Sequence, residues 1–142
     1  MKRKKEYRSD CPQYLALDVF GDKWTLLIIR DMMIEGKKYF REFLQSTEKI
    51  ASNILASRLQ SMEEEGLIYR KSDPEHKQKI RYLLTEKGID LFPILMENTR
   101  WSLKYKPVGD QDRAKAQVIL DKGYDGYAVI MDKLREEHLK LK

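Results

Sequence analysis

Apolar residues recur at helical spacing along most of the chain, and the first elements that this pattern predicts are two helices. Pro12 opens a helix over 12–20, because a proline in the first turn lacks only an N–H that would be unpaired anyway. Asp22 can cap a second helix over 23–35, and Gly36 suits the position that follows a helix. Apolar residues spread around much of this second helix, so we expect it to be the most buried one.

The next segment predicts a short helix, a turn and a longer helix. A brief extended link at 37–39 leads into the short helix over 40–44, whose apolar residues face inward, and 46–49 forms the turn. Ser52 is a good N-cap for the longer helix over 53–65, which a glycine ends.

Two strands follow, over 67–71 and 79–84, and the turn signals at 73–76 join them into a hairpin. Apolar and basic residues alternate along the second strand, so they should occupy opposite faces. One face carries Ile80, Tyr82 and Leu84, and the other carries Lys79 and Arg81.

The remaining chain is predicted to be helical. Thr85 can cap a long helix over 86–105, in which we expect Pro93 to cause a kink. Beyond a linker at 107–109, Gly123 separates two more helices, over 111–122 and 124–139. The last helix carries an apolar stripe that needs a cover, supplied either by its own domain or by a partner chain. The stripe consists of Tyr127, Ile130, Met131 and Leu134.

Composition limits the classes of protein that fit. The chain has 142 residues, of which 42% are hydrophobic and 36% charged, enough for one domain with a real core and a helix-rich surface. No apolar run approaches the ~20 residues of a membrane span, so we expect no membrane partner. Cys11 is the single cysteine, which excludes an internal disulfide and a cysteine-based zinc site. With no signal-peptide segment, these features favour the cytoplasm.

The net charge of +5 is concentrated in two places. The first nine residues carry a net charge of +4, and the hairpin carries a local +3. Localised basic patches on a nearly neutral body suggest a polyanion partner such as nucleic acid, although a charge run is more often only a solvated face.

The order of elements and the basic hairpin together predict a winged helix-turn-helix, a mainly α fold with a small β-hairpin. We divide the chain into a basic leader over 1–9, a winged helix-turn-helix domain over 10–106 and a C-terminal helical extension over 107–142. The extension either mediates dimerisation or packs on the core.

The helix over 53–65 is the predicted recognition helix. Leu55, Leu59 and Met62 share one face and should point to the core. A second stripe is small and polar, unlike an ordinary Lys/Glu-rich surface, so it can approach base edges closely. It consists of Asn53, Ala56, Ser57 and Gln60. Ser52 and Asn53 also lie at the helix N-terminus, where backbone N–H groups favour a phosphate.

The hairpin is the predicted wing. A wing beside a recognition helix meets the sugar-phosphate backbone in the adjacent minor groove, so its cations should supply affinity more than sequence choice. These cations are Arg70, Lys71, Lys77, Lys79 and Arg81. His76 lies at the tip of the wing and is assigned no metal role.

The sequence resembles the HxlR family of bacterial transcriptional regulators, a branch of the winged helix proteins akin to the MarR type. The resemblance runs from Cys11 to about Ser102 and rests on the order and spacing of several short segments. These are 11–12 with Leu17, then 21–24, 26–30, 39–43, 50–59, 64–68, 82–88 and 90–93. It implies a cytoplasmic homodimer that binds double-stranded DNA and has no catalytic activity.

No phosphate-binding glycine loop, zinc-protease motif or Cys–His pair supports an enzyme, a cofactor or a metal site. Two other functions remain as alternatives. A winged helix used for protein assembly should show apolar anchors where the polar stripe lies. A non-specific nucleic-acid binder should depend on residues 1–9 and little on Asn53 or Gln60. The target sequence and any small-molecule effector are not evident from the sequence.

The location of Cys11 suggests a signal. The resemblance implies that a cysteine at this place senses oxidants or electrophiles in some similar regulators. Cys11 directly precedes Pro12 at the start of a helix, and a helix N-terminus favours a thiolate. The alternative is an inert cysteine that packs as a small apolar group.

Overall fold

The protein, represented by a computed structural model, is described over residues 6–139, where it consists of eight helices and a two-stranded antiparallel sheet. The basic leader therefore lies partly outside the described residues. In chain order the elements are α1 (Pro12–Phe20), α2 (Lys23–Met33), α3 (Phe40–Leu44), α4 (Ser52–Glu65), β1 (Ile68–Ser72), β2 (Ile80–Leu84), α5 (Glu86–Ile89), α6 (Phe92–Tyr105), α7 (Asp110–Asp121) and α8 (Gly123–Leu139). This order confirms the predicted winged helix-turn-helix. None of these helices is long and apolar enough to cross a membrane.

Asp22 caps α2 as predicted. One oxygen of its carboxylate accepts hydrogen bonds from the backbone N–H groups of Trp24 and Thr25, both at 2.9 Å. Burial favours the neutral acid, but these bonds and the one from the Thr25 hydroxyl lower the pKa of Asp22. α2 ends at Met33, two residues earlier than expected.

The predicted cap of α4 is wrong by one position. Ala51 is the N-cap, with extended backbone angles, and Ser52 is already the first helical residue. No side chain caps this end of the helix. Ile50 is buried in the core directly before it, so tertiary packing, and not the serine hydroxyl, sets where the chain enters α4.

The predicted long helix is broken, not kinked. α5 ends at Ile89, and α6 starts again at Phe92, with Pro93 in its first turn. Pro93 has no N–H to donate to the carbonyl of Ile89, and its ring would clash with that carbonyl in a continuous helix. The interruption turns a single predicted helix into two.

The hairpin pairs β1 and β2 in antiparallel register, with Tyr69 opposite Leu83 and Lys71 opposite Arg81. These four residues therefore share one face of the sheet. The extended link before α3 adds to the outer edge of β2, because the backbone N–H of Tyr82 donates to the carbonyl of Lys38 at 2.7 Å.

The C-terminal helices pack on the domain that precedes them. Leu120 of α7 and Tyr127 and Leu134 of α8 belong to the same buried apolar cluster as α2, α4 and α6. The ring of Tyr127 meets that of Phe92 edge-on, with 5.6 Å between the ring centres. The apolar stripe of the last helix is therefore covered by its own chain.

Candidate nucleic-acid interface

The two faces of α4 separate as its sequence predicts. Leu55, Leu59 and Met62 are buried in the core. All five residues proposed to read DNA are exposed. They are Ser52, Asn53, Ala56, Ser57 and Gln60. Ile54 also reaches the surface beside this stripe, and its methyl groups can contact a thymine methyl.

The N-terminus of α4 is open to an anion. The first N–H groups of any helix have no intrahelical partner, and no side chain caps those of α4. Lys49 precedes the helix with a left-handed backbone (φ 56°), and its side chain is exposed at the turn. Uncapped N–H groups beside an exposed cation suit a phosphate oxygen.

Ion pairs hold the helix-turn-helix to α2. The guanidinium of Arg30 donates to both carboxylate oxygens of Glu48, at 2.8 and 2.9 Å. This two-point contact lowers the pKa of Glu48 to about 2. Arg58 of α4 lies 3.9 Å from Asp22, the cap of α2. These contacts fix the turn before α4, and with it the direction of the exposed stripe.

The far end of α4 faces the hairpin. The Nε of Arg70 lies 3.0 Å from Oε2 of Glu63, and Gln60 donates to Glu64 at 3.3 Å. Arg70 remains exposed, but this pair neutralises much of the charge that was predicted to face phosphate. Ala56 and Gln60 line one cleft with Arg70 and Tyr82, so the stripe and the hairpin are neighbours.

The tip of the hairpin is tied to the start of α3. Asp73 is a buried carboxylate that accepts the backbone N–H groups of Glu75 at 2.8 Å and His76 at 3.2 Å. Its other oxygen accepts a hydrogen bond from the Tyr39 hydroxyl. This bond lowers the pKa of Asp73 and raises that of Tyr39. The turn is thus held in one conformation and attached to the helix-turn-helix.

The predicted wing cations have different surroundings. Lys77 is exposed at the tip. The Nζ of Lys79 lies over the ring of Tyr39, 3.9 Å from its centre, in a cation–π contact. Lys71 is half-buried.

Arg81 is not on the surface, and its assignment to the DNA-facing cations is wrong. Its side chain is 9% exposed, and its buried Nε has no hydrogen-bond partner. It shares a face of the hairpin with Tyr69, whose hydroxyl donates to the carbonyl of His138 in the last turn of α8. Strand alternation correctly separated Arg81 from Tyr82, but it could not reveal that α8 packs against the hairpin.

Sequence reasoning missed three residues that hold the hairpin, namely Tyr39, Asp73 and His138. The Asp-Pro turn signalled a turn, yet the partner of Asp73 lies 34 residues away in sequence. Nothing local marks such a contact.

Cys11 is exposed, which does not fit the alternative of an inert cysteine that packs as a small apolar group. It is the N-cap of α1, and its thiol donates to Oε1 of Gln13 at 2.9 Å.

A helix-turn-helix with a polar, exposed second helix and a hairpin beside it defines a winged helix DNA-binding protein. The sequence of residues 19–110 matches the family model described as HxlR-like helix-turn-helix. The chain belongs to this family and is a transcriptional regulator.

Named relatives agree with this assignment. The chain is 35% identical over 105 residues to YdeP of Bacillus subtilis, an uncharacterised HTH-type transcriptional regulator, covering 71% of this chain and 81% of YdeP. It is 34% identical over 101 residues to the B. subtilis regulator YodB, covering 70% and 89%. Among solved structures, the oxidised form of the redox regulator HypR superposes with a TM-score of 0.60 at 34% identity, covering 69% of this chain and all of HypR.

Proposed function

We propose that the protein is a sequence-specific transcriptional regulator that binds double-stranded DNA as a homodimer, in the cytoplasm. α4 enters the major groove, and the hairpin contacts the adjacent minor groove. The observation that carries this proposal is the exposed stripe of Asn53, Ala56, Ser57 and Gln60 on a helix whose opposite face is buried. Asn and Gln can each bond adenine through two atoms, which is worth ~1–3 kcal/mol of discrimination.

The structure favours this function over the two alternatives. An assembly surface needs large apolar anchors, whereas the exposed stripe of α4 is mostly small and polar. A non-specific binder that relies on residues 1–9 has no use for such a stripe.

The way in which a winged helix reads DNA favours a homodimer. One winged helix reaches one half-site, and a two-fold dimer reads an inverted repeat with half-sites about 34 Å apart. α1 contains no buried residue, and Leu17 on it is 59% exposed. At the end of α6, Trp101 and Tyr105 are also exposed, with 5.3 Å between their ring centres. We assign the dimer contact to these two surfaces.

A redox response through Cys11 is a second part of the proposal. The thiol is exposed at the start of α1, which carries one of the surfaces assigned to the dimer. The related regulator HypR has been solved in a reduced and an oxidised form. The related regulator YodB has been solved in a reduced and a diamide-treated form. Oxidation at this place would alter the dimer contact and thereby the separation of the two α4 helices.

DNA-binding measurements test the proposal. A bound site is first selected from a random DNA pool, and affinity is then measured for this site and for unrelated DNA. Asn53→Ala and Gln60→Ala should each weaken binding to the selected site about 5- to 150-fold and leave non-specific binding almost unchanged, because one base contact is lost. Equal loss on both DNAs would show that α4 does not read bases.

Lys77→Ala is the matched control for a phosphate contact. It should weaken binding to both DNAs and reduce the slope of log affinity against log salt by ~0.9, because one counterion is no longer released. An unchanged slope would remove the wing from the contact surface.

A further inference from the structure

The last turn of α8 lies against the hairpin. The part of the chain that matches the family model ends at residue 110, so α8 lies outside it. Nevertheless, α8 supplies two hydrogen-bond acceptors to the hairpin, and both belong to His138. The backbone carbonyl of His138 accepts from the Tyr69 hydroxyl, and its Nδ1 accepts from the backbone N–H of Leu84 at 3.0 Å.

These contacts complete the free edge of a small sheet. β2 pairs with β1 on one side only, so alternate N–H groups on its outer edge need other partners. Tyr82 donates to Lys38, and Leu84 donates to His138. A hairpin of two strands is marginally stable alone, so its orientation depends on such anchors.

His138 can act in this way only as a neutral imidazole. Nδ1 must carry a lone pair in order to accept the Leu84 N–H, so the ring proton must be on Nε2. The side chain is 1% exposed, and this burial, with the nearby positive charge of Lys38, lowers the pKa of His138 to about 4. The accepting form therefore dominates at neutral pH.

We propose that His138 is a positioning residue for DNA binding: it anchors the base of the wing so that the tip, with Lys77, reaches the phosphate backbone. This inference rests on the proposed DNA-binding function. β2 runs ~13 Å from Leu84 to Ile80, and Lys77 lies in the turn beyond it, so loss of the base anchor lets the hairpin pivot about the Asp73–Tyr39 contact near its tip and changes the direction of Lys77. A helix beyond the family's shared region thereby sets how strongly this regulator holds DNA.

Two variants of the same residue separate anchoring from bulk packing. His138→Asn places an amide oxygen near the position of Nδ1 and keeps an acceptor for Leu84, whereas His138→Ala removes it. With non-specific DNA, His138→Ala should lose ~0.9 from the salt slope, as Lys77→Ala does, and His138→Asn should keep the parent slope. A parental slope in a folded His138→Ala protein, or an equal loss in His138→Asn, would overturn the inference.

A double variant tests whether His138 acts through the wing. If it does, His138→Ala combined with Lys77→Ala should have the slope of Lys77→Ala alone, because the same contact is lost once. Additive losses, ~1.8 in slope, would show that the two residues act independently and would contradict the inference.

Amide exchange provides a readout without DNA. Hydrogen exchange at Leu84 should accelerate in His138→Ala and remain slow in His138→Asn, while Tyr82, whose acceptor is Lys38, serves as the internal reference. Unchanged protection of Leu84 in His138→Ala would overturn the anchoring.

Tyr69→Phe keeps the inference testable if His138→Ala does not fold. It removes only the hydroxyl that donates to His138 and should reduce the salt slope in the same direction. A parental slope in this variant would count against the inference.

An unchanged slope in Lys77→Ala contradicts the wing contact of the proposed function, and the inference falls with it. An unchanged slope in folded His138→Ala beside a reduced slope in Lys77→Ala contradicts only the positioning role.

Discussion

At the scale of single residues, the neighbours of each wing cation decide whether it can meet a phosphate. Arg70 already pairs with Glu63, and the ammonium of Lys79 rests on an aromatic ring. Arg81 is buried. Lys77 is exposed at the tip, so it should dominate the wing's contribution to affinity.

At the same scale, the exposed thiol of Cys11 should respond to oxidation. Diamide converts two thiols into one disulfide, and the chain has a single cysteine, so any protein disulfide must join two chains. Treatment of the parent should produce a covalent dimer on a non-reducing gel and change its affinity for the selected DNA at least several-fold. Cys11→Ser should show neither effect. If both proteins respond alike, Cys11 is not the sensor.

At the scale of elements, α5 approaches the base of the hairpin closely. Gly88 lies in α5 against the carbonyl of Leu67, just before β1. A Cβ built on Gly88 would be 2.1 Å from this oxygen, which accepts the N–H of Thr85 at 3.0 Å. The base of the hairpin and α5 can therefore pack only where a side chain is absent.

Gly88→Ala should accordingly destabilise the protein by about 1–3 kcal/mol, because backbone atoms must move to relieve the clash. Urea unfolding followed by circular dichroism measures the free energy. Gly109→Ala is the matched control, since a Cβ there meets no atom within 4 Å, and its change should stay within about 0.5 kcal/mol. Similar effects of the two substitutions would argue against the close contact.

At the scale of the whole molecule, α7 and α8 complete the core and leave other apolar surface exposed. The stripe on α8 is satisfied within the chain, so removing 110–142 would expose core residues and could not isolate a dimer contact. Exposed apolar side chains also occur on α7 and α8, but the proposed dimer contact uses those of α1 and α6.

Trp101→Glu should therefore convert the dimer to a monomer, because a carboxylate placed in an apolar contact would be desolvated without a partner. Mass measured by light scattering detects the change. Val118→Glu alters an equally exposed apolar residue of α7 outside the assigned interface and should leave the mass unchanged. A Trp101→Glu protein that remains dimeric would place the interface elsewhere.

The stability of the whole fold should depend on pH through His138. Its pKa is about 4 in the folded protein, below the ordinary value of 6.5, so the unfolded chain binds the proton more readily. The stabilisation is complete above pH 6.5 and is lost as the pH falls towards 4, with a full magnitude on the order of 3 kcal/mol.

Urea unfolding at about pH 7.5 and about pH 5 measures this effect. The parent should lose more stability than His138→Asn, which keeps the acceptor but does not titrate. The carboxylates are common to both proteins, so their contribution cancels in the comparison. An identical pH dependence would show that His138 does not titrate on unfolding.

Local pattern was sufficient for the element order and for the buried face of α4. Periodicity, the cap at Asp22 and the turn glycines act over a few residues, so they can be read without the fold. The same local signals led to the family and to the exposed stripe. They failed by one residue at Ser52, because the packing of Ile50 decides where α4 begins. They also predicted a kink where Pro93 breaks the helix outright.

Long-range contacts were decided only by the tertiary structure. Tyr39 meets Asp73 across 34 residues, and Leu84 meets His138 across 54. The sequence identified the cations of the wing, but whether each is paired, buried or free depends on groups that folding brings from distant segments. Arg81 differs from Lys77 for this reason: α8 packs against the face of the hairpin that carries Arg81, and no periodicity within the hairpin records that contact.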